Sequence, residues 1–343
     1  MIAGRSVGTI GRSLIGLVVV AAIFFLLFRS LAANWGDLRA EEIDIRPALL
    51  VVSLIPGLAA IVVMSLAWSR IVGSLSPDQQ GNRQLPKVFL YSWVGRYIPG
   101  KVAYVLGRFY LGRSVGVSTP VLVVSMAYEG VLLAVAAFAF ASLTLIPSLA
   151  VVSESVVPYL VLPVFAIGGA VALHPRVMHW GLRFAMRLLG REMVEEDWVL
   201  PPERMAQIIG LFLITFSLSG IGLYLLIISL TSYSPGYLPL AAGTYTLAGV
   251  IGMFAIFAPA GIGVREGFMV GLLQFTMPLE MAILVALATR AWSTVLDLLV
   301  VGGAFAFDYV SGDRILFAAF SGRQGVEAGS EPPGALNTEE DAP

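Results

Sequence analysis

The chain of 343 residues has no cysteine. Disulfides, thiol catalysis and cysteine metal sites are therefore excluded. It has two histidines, His174 and His179, and they sit together. A histidine-rich metal centre or a Ser-His-Asp triad cannot be built from that pair at membrane depth. Charge is scarce as well. Only 13% of residues are Asp, Glu, Lys or Arg, about half of what soluble domains carry. The formal net charge of −1 gives no electrostatic footprint for a nucleic-acid partner. No paired acids, metal set or nucleotide-binding loop occurs at useful spacing, so neither an enzyme nor a bound cofactor is expected.

Apolar runs take up the space, at 58% of the residues. An integral, all-α membrane protein follows. Ser13 to Phe28 is continuously apolar behind Arg5 and Arg12. That pattern reads as an uncleaved first span, with a signal peptide as the alternative. Further spans are expected at Ala48–Ile71, Pro120–Ile146, Val156–Leu173, Met205–Leu230 and Leu279–Phe307. Pro175 to Gly190 places Val177, Trp180, Phe184 and Leu188 on one helical face and Arg176, His179, Arg183 and Arg187 on another. Such a helix suits the anionic cytoplasmic leaflet. The tail, 308–343, has the composition of a disordered segment.

Two stretches do not read as simple spans. Ser92 to Gly116 is apolar but holds Arg96, Lys101, Arg108 and Arg113, and Pro99-Gly100 interrupts it. Phe257 to Gly267 reads F-A-P-A-G-I-G-V-R-E-G, followed by a short apolar arm. Neither side of Pro99 reaches the roughly 20 apolar residues a crossing needs. Half-helices of a re-entrant hairpin are predicted over Pro86–Ile98 and Lys101–Gly112. Irregular backbone at that depth requires protein or water around it. Pro99 and Pro259 lie 160 positions apart, as do Thr119 and Leu279. Each half then reads span, span, broken hairpin, span, with residues 1–147 and 148–307 as inverted repeats, a common transporter construction. The positive charge distribution puts both termini in the cytoplasm.

Charge at membrane depth marks a functional site or a buried partner. Lys101 follows the first break and Arg265 the second, and Arg108 lies two turns beyond Lys101 on the same face. The half-helix starts, opened by Gly100, Gly261 and Gly263, present free backbone N–H groups that attract phosphate. One reading makes these cations an anion site. The other makes them scaffold, with Arg108 paired to Glu266 or Glu129 and Lys101 snorkelling to the interface. Glu129, Glu266, Arg290 and Asp297 are the remaining deep charges, available as substrate ligands, proton carriers or counter-ions. Tyr91, Trp93, Tyr97, Tyr104, Phe109 and Tyr110 read as interface belt and packing.

The run G-R-Y-I-P-G-K-V-x-x-V-L-G-R-x-Y-L from Gly95, with R-x-x-G-V-S at Arg113–Ser118, resembles the first signature of the lysylphosphatidylglycerol synthase transmembrane, or flippase-like, family. P-A-G-I-G-V-R-E-G at Pro259–Gly267 resembles its second. The resemblance implies a bacterial or archaeal inner-membrane protein that moves a lipid or lipid-linked glycan between leaflets. It implies Pro99, Gly100, Lys101, Arg108, Gly261, Gly263, Arg265 and Glu266 at the functional centre. It does not imply aminoacyl transfer, which in the lysyl-lipid synthases belongs to a large soluble domain. Three other readings stay open: a proton- or ion-coupled transporter of a small solute, a membrane enzyme of glycan or lipid assembly, and a non-transporting partner of envelope-assembly proteins.

Overall fold

A computed structural model describes residues 45–97, 102–152, 200–231, 237–255 and 261–311, with a few isolated positions besides. Pro99, Gly100, Lys101 and Pro259 lie outside the described residues. So do nearly all of the spans expected over 13–28 and 156–173, the amphipathic segment 175–190 and the tail from 312.

The described residues are helical, with no strand among them. We number the helices α1 (Pro47–Leu75), α2 (Leu85–Trp93), α3 (Val102–Ser114), α4 (Thr119–Val152), α5 (Pro202–Leu230), α6 (Leu238–Phe254), α7 (Val264–Leu273) and α8 (Leu279–Ser311). Four of them, α1, α4, α5 and α8, are long and apolar enough to cross a bilayer. They coincide with four of the six expected spans. At 17 residues, α6 is about 25 Å long and falls short of a full crossing.

Several boundaries differ from the sequence reading; α1 runs on to Leu75 and α8 to Ser311, past the expected Ile71 and Phe307. The arm expected over Pro86–Ile98 is not one helix: α2 stops at Trp93 and the chain tightens into a 3-10 turn over Val94–Tyr97. Residues i and i+3 eclipse in that geometry, which brings Trp93, Arg96 and Tyr97 close together. Helix α4 continues through Pro147 to Val152 instead of ending at Ile146. Helix α5 starts at Pro202, ahead of the expected Met205, because proline fits the first turn of a helix.

Helices in lipid gain little from apolar burial against one another, so close packing and hydrogen bonds must hold them. Trp292 on α8 shows both. Its ring fills the space over Gly57 of α1 and Gly222 of α5, where an added Cβ would lie 2.7 and 2.8 Å from it. Its Nε1–H donates to Ser53 Oγ of α1 at 2.9 Å. Elsewhere, Trp68 Nε1–H of α1 donates to Ser125 Oγ of α4 at 3.2 Å. Tyr91 O–H of α2 donates to the Ala304 carbonyl of α8 at 3.0 Å. Helices α1 and α5 pack along their length, and α2, α4, α6 and α8 pack against one or both of them.

The first hairpin is closed by backbone contact. A Cβ on Gly95 would come within 2.4 Å of Tyr104 N and 2.5 Å of Ala103 C. The 3-10 turn therefore lies directly on the first turn of α3.

Candidate functional site

The charges predicted at depth fall into two groups, Arg108 with Glu129 between α3 and α4, and Arg96, Glu266, Arg290 and Asp297 around α8. Arg108 is fully buried. Its guanidinium forks onto Glu129 of α4, with Nη1 at 2.5 Å from Oε2 and Nη2 at 3.2 Å from Oε1. It also donates to Tyr104 Oη at 2.6 Å and to Ser92 Oγ at 3.3 Å. The rings of Trp68, Phe89 and Tyr104 cover it at 4.5, 4.3 and 4.8 Å. A bidentate pair enclosed by aromatic faces is a satisfied ion pair. Of the pairings considered from the sequence, Arg108 with Glu129 is the one present, and it ties α2, α3 and α4 together.

The second motif organises its own turn. Gly261 and Gly263 take φ of +70° and +84°, a region that costs other residues strain. At Gly261 a Cβ would also lie 2.7 Å from the Gly252 backbone of α6. Glu266 is buried and accepts the Gly263 N–H through Oε2 at 2.6 Å. The start of α7 is thus capped by its own carboxylate. Of the N–H groups at this helix start, Glu266 takes the Gly263 donor and supplies negative charge there. Its Oε1 lies 3.8 Å from Arg290 Nη1 of α8.

Asp297 sits seven residues along α8 from Arg290 and holds the first hairpin. Its Oδ1 accepts Trp93 Nε1–H at 2.9 Å, and its Oδ2 accepts both Arg96 Nη2–H and Tyr97 O–H. The Arg290 guanidinium lies 5.5 Å from the Tyr97 ring centroid. One face of α8 therefore reaches both broken elements, the first through Asp297 and the second through Arg290. The residues that flank the two breaks, Tyr97 on one side and Glu266 on the other, meet at Arg290.

Sequence reasoning missed three participants. Arg96 received no site role from the sequence, although it is a cation beside the first break. Trp93 and Tyr97 were assigned to the interface belt, yet both donate to Asp297. Only the proximity of α8, about 200 residues later, gives them that role, and no local pattern carries it.

Beside this cluster lies a cavity of about 180 Å³ between α1, α5 and α6. Its body is apolar, with Ala60, Ile61 and Met64 from α1, Leu133 from α4, Phe216 from α5 and Val250 and Met253 from α6. Thr215, Ser219, Tyr245 and Thr246 supply hydroxyls. Two cations, Arg96 and Arg265, form part of its wall. Arg265 lies over the Tyr245 ring at 4.4 Å. Its Nε and Nη2, and Arg96 Nε, are buried without a hydrogen-bond acceptor among the described residues. Each deep acid is matched to another arginine: Glu129 to Arg108, Glu266 to Arg290 and Asp297 to Arg96. That leaves Arg265 without a carboxylate at ion-pair distance among the described residues. Among them, too, no three carboxylates or imidazoles gather closely enough to hold a metal.

The site is therefore an apolar chamber with two under-satisfied cations in its wall. The chain matches the family described as lysylphosphatidylglycerol synthase TM region over residues 13–300. It belongs to that family and is a multi-pass membrane protein. No curated protein matches it.

Proposed function

We propose that the protein translocates an anionic phospholipid or a lipid-linked glycan precursor across the cytoplasmic membrane. The observation that carries this reading is the pairing of Arg96 and Arg265 in the wall of an apolar cavity, with three buried nitrogens lacking acceptors. Buried donors of that kind are costly when unmet. A lipid phosphate supplies the missing oxygens, while its tails occupy the apolar chamber or the surrounding bilayer. In this reading Arg108 and Glu129 fix the first hairpin, Glu266 fixes the second, and Asp297 holds Arg96 in reach of the cavity. No chemical step is assigned to the protein. Its partners are the lipid itself and envelope-assembly proteins.

The finer architecture belongs to the same proposal: six spans and two re-entrant hairpins, in inverted repeats, with both termini cytoplasmic in an inner membrane. Support comes from how the helices pack. Exchanging α1 with α5, α2 with α6, α3 with α7 and α4 with α8 turns each well-packed helix pair into another well-packed pair. The pairs α1–α2, α2–α3 and α2–α8 become α5–α6, α6–α7 and α6–α4, and α1–α5 becomes itself. The long partners also match in length, 29 residues each for α1 and α5, and 34 and 33 for α4 and α8. The rival reading of the deep acids as proton carriers gains less support, because each already faces an arginine at ion-pair distance.

The test is lipid transfer in proteoliposomes holding headgroup-labelled phosphatidylglycerol, read by reduction of the label from outside. The protein is expected to expose inner-leaflet lipid, and Arg265→Gln to slow that exposure about tenfold or more, the worth of one charged hydrogen bond. Exposure no faster than in protein-free vesicles would overturn the proposal.

A further inference from the structure

The cavity wall also says what a headgroup must lack. Its lining contains two full charges, Arg96 and Arg265, and both are positive. Among the described residues no carboxylate lines it. The nearest deep acids are occupied. Asp297 accepts from Trp93, Arg96 and Tyr97. Glu266 accepts the Gly263 N–H and faces Arg290. Glu129 is enclosed with Arg108. An ammonium entering this chamber meets like charge and finds no counter-ion.

The hydroxyls add a second requirement. Thr215 and Thr246 spend their protons on carbonyls one turn back, Leu211 at 2.9 Å and Ala242 at 2.8 Å. Their oxygens remain as acceptors. The wall thus offers donors where the arginines are and acceptors where the threonines are. A phosphate satisfies the first and headgroup hydroxyls the second.

We infer that the cavity selects lipids whose headgroup carries a phosphate and hydroxyls but no amine, and rejects zwitterionic and aminoacylated lipids. The inference rests on the lipid-translocation reading above and narrows its substrate class. Specificity here comes from an unpaired charge imposed on the wrong ligand as much as from contacts with the right one.

The experiment is native mass spectrometry of the full chain in detergent. It is offered equal amounts of phosphatidylglycerol, phosphatidylethanolamine and lysylphosphatidylglycerol of matched acyl chains, with a polyprenyl-phosphate sugar in a parallel arm. The expected result is retention of phosphatidylglycerol, or of the polyprenyl-phosphate sugar, about tenfold above both amine-bearing lipids. Which of the two is retained identifies the source of the phosphate. Equal or greater retention of either amine-bearing lipid overturns this inference while leaving lipid translocation standing. Retention of no lipid above neutral diacylglycerol overturns both. A gain-of-function arm avoids dependence on damaged protein: Ser219→Asp adds a carboxylate to the wall and is expected to raise lysylphosphatidylglycerol retention several-fold. An unchanged lipid ratio in folded Ser219→Asp protein would count against the role given to wall charge.

Discussion

Arg108 and Arg265 are both arginines at depth, and their surroundings give them opposite roles. Arg108 spends its donors on Glu129, Tyr104 and Ser92 and is covered by three rings. Removing one member of such a pair leaves the other charge buried and unpaired. Glu129→Leu is therefore expected to lower stability by about 3 kcal/mol or more. The double substitution Arg108→Met with Glu129→Leu is expected to recover most of that loss, because an apolar pair carries no desolvation penalty. Thermal unfolding of the three variants in detergent checks it. A double variant less stable than Glu129→Leu would show that Arg108 does more than answer Glu129. Arg265 has no such carboxylate partner among the described residues, so under the proposed function its replacement is expected to affect lipid transfer before stability.

At the scale of elements, the turn between α6 and α7 depends on two glycines whose backbone no other residue reproduces cheaply. Gly261→Ala adds strain at φ +70° and drives a Cβ into the Gly252 backbone at 2.7 Å. A loss of about 2 kcal/mol is expected from the strained conformation and the clash together. Gly267→Ala and Gly271→Ala on α7 serve as controls, since nothing lies within 4 Å of an added Cβ there. Each is expected to be neutral or to gain up to about 1 kcal/mol of helix propensity. Denaturation midpoints separate the cases.

These elements also show what a sequence discloses. The four described spans were legible because apolar runs of that length have one use in water-poor surroundings. The second motif was legible because glycines beside a proline at depth mark backbone that must bend. The Arg108–Glu129 pair was legible only as one option of two, since both acids were within reach of a plausible fold. The anchor on Asp297 was not legible at all. A tryptophan or tyrosine with a polar tip fits a lipid interface as well as a buried carboxylate, and only the docking of α8 decides between them. The cavity was hidden for the same reason, as its walls come from α1, α4, α5 and α6 and no one segment carries its shape.

For the whole molecule, the balance of deep charge sets a dependence on ligand. Among the described residues Arg96, Arg108 and Arg290 are matched to Asp297, Glu129 and Glu266, and Arg265 is left without a carboxylate at ion-pair distance. A bound anion completes that balance and stabilises the folded state by mass action, by about 2.7 kcal/mol at a hundredfold excess over its dissociation constant. Phosphatidylglycerol titrated into the detergent-purified protein is expected to raise the melting temperature with saturation. In Arg265→Gln protein the rise should shrink markedly. A rise of equal size in both proteins would mean that the lipid acts as a general solvent for the helices.

Helix α8 carries Arg290 and Asp297 about 10 Å apart along one rigid axis, and each grips a different hairpin. A lever with two loads cannot move one of them alone. Any tilt or slide of α8 that loosens the Asp297 grip also shifts Arg290 against Glu266. Under the inverted arrangement proposed above, the two hairpins face opposite sides of the membrane. The same stroke then frees one doorway and draws on the other, so a single helix can act as the interlock that keeps both from standing open at once.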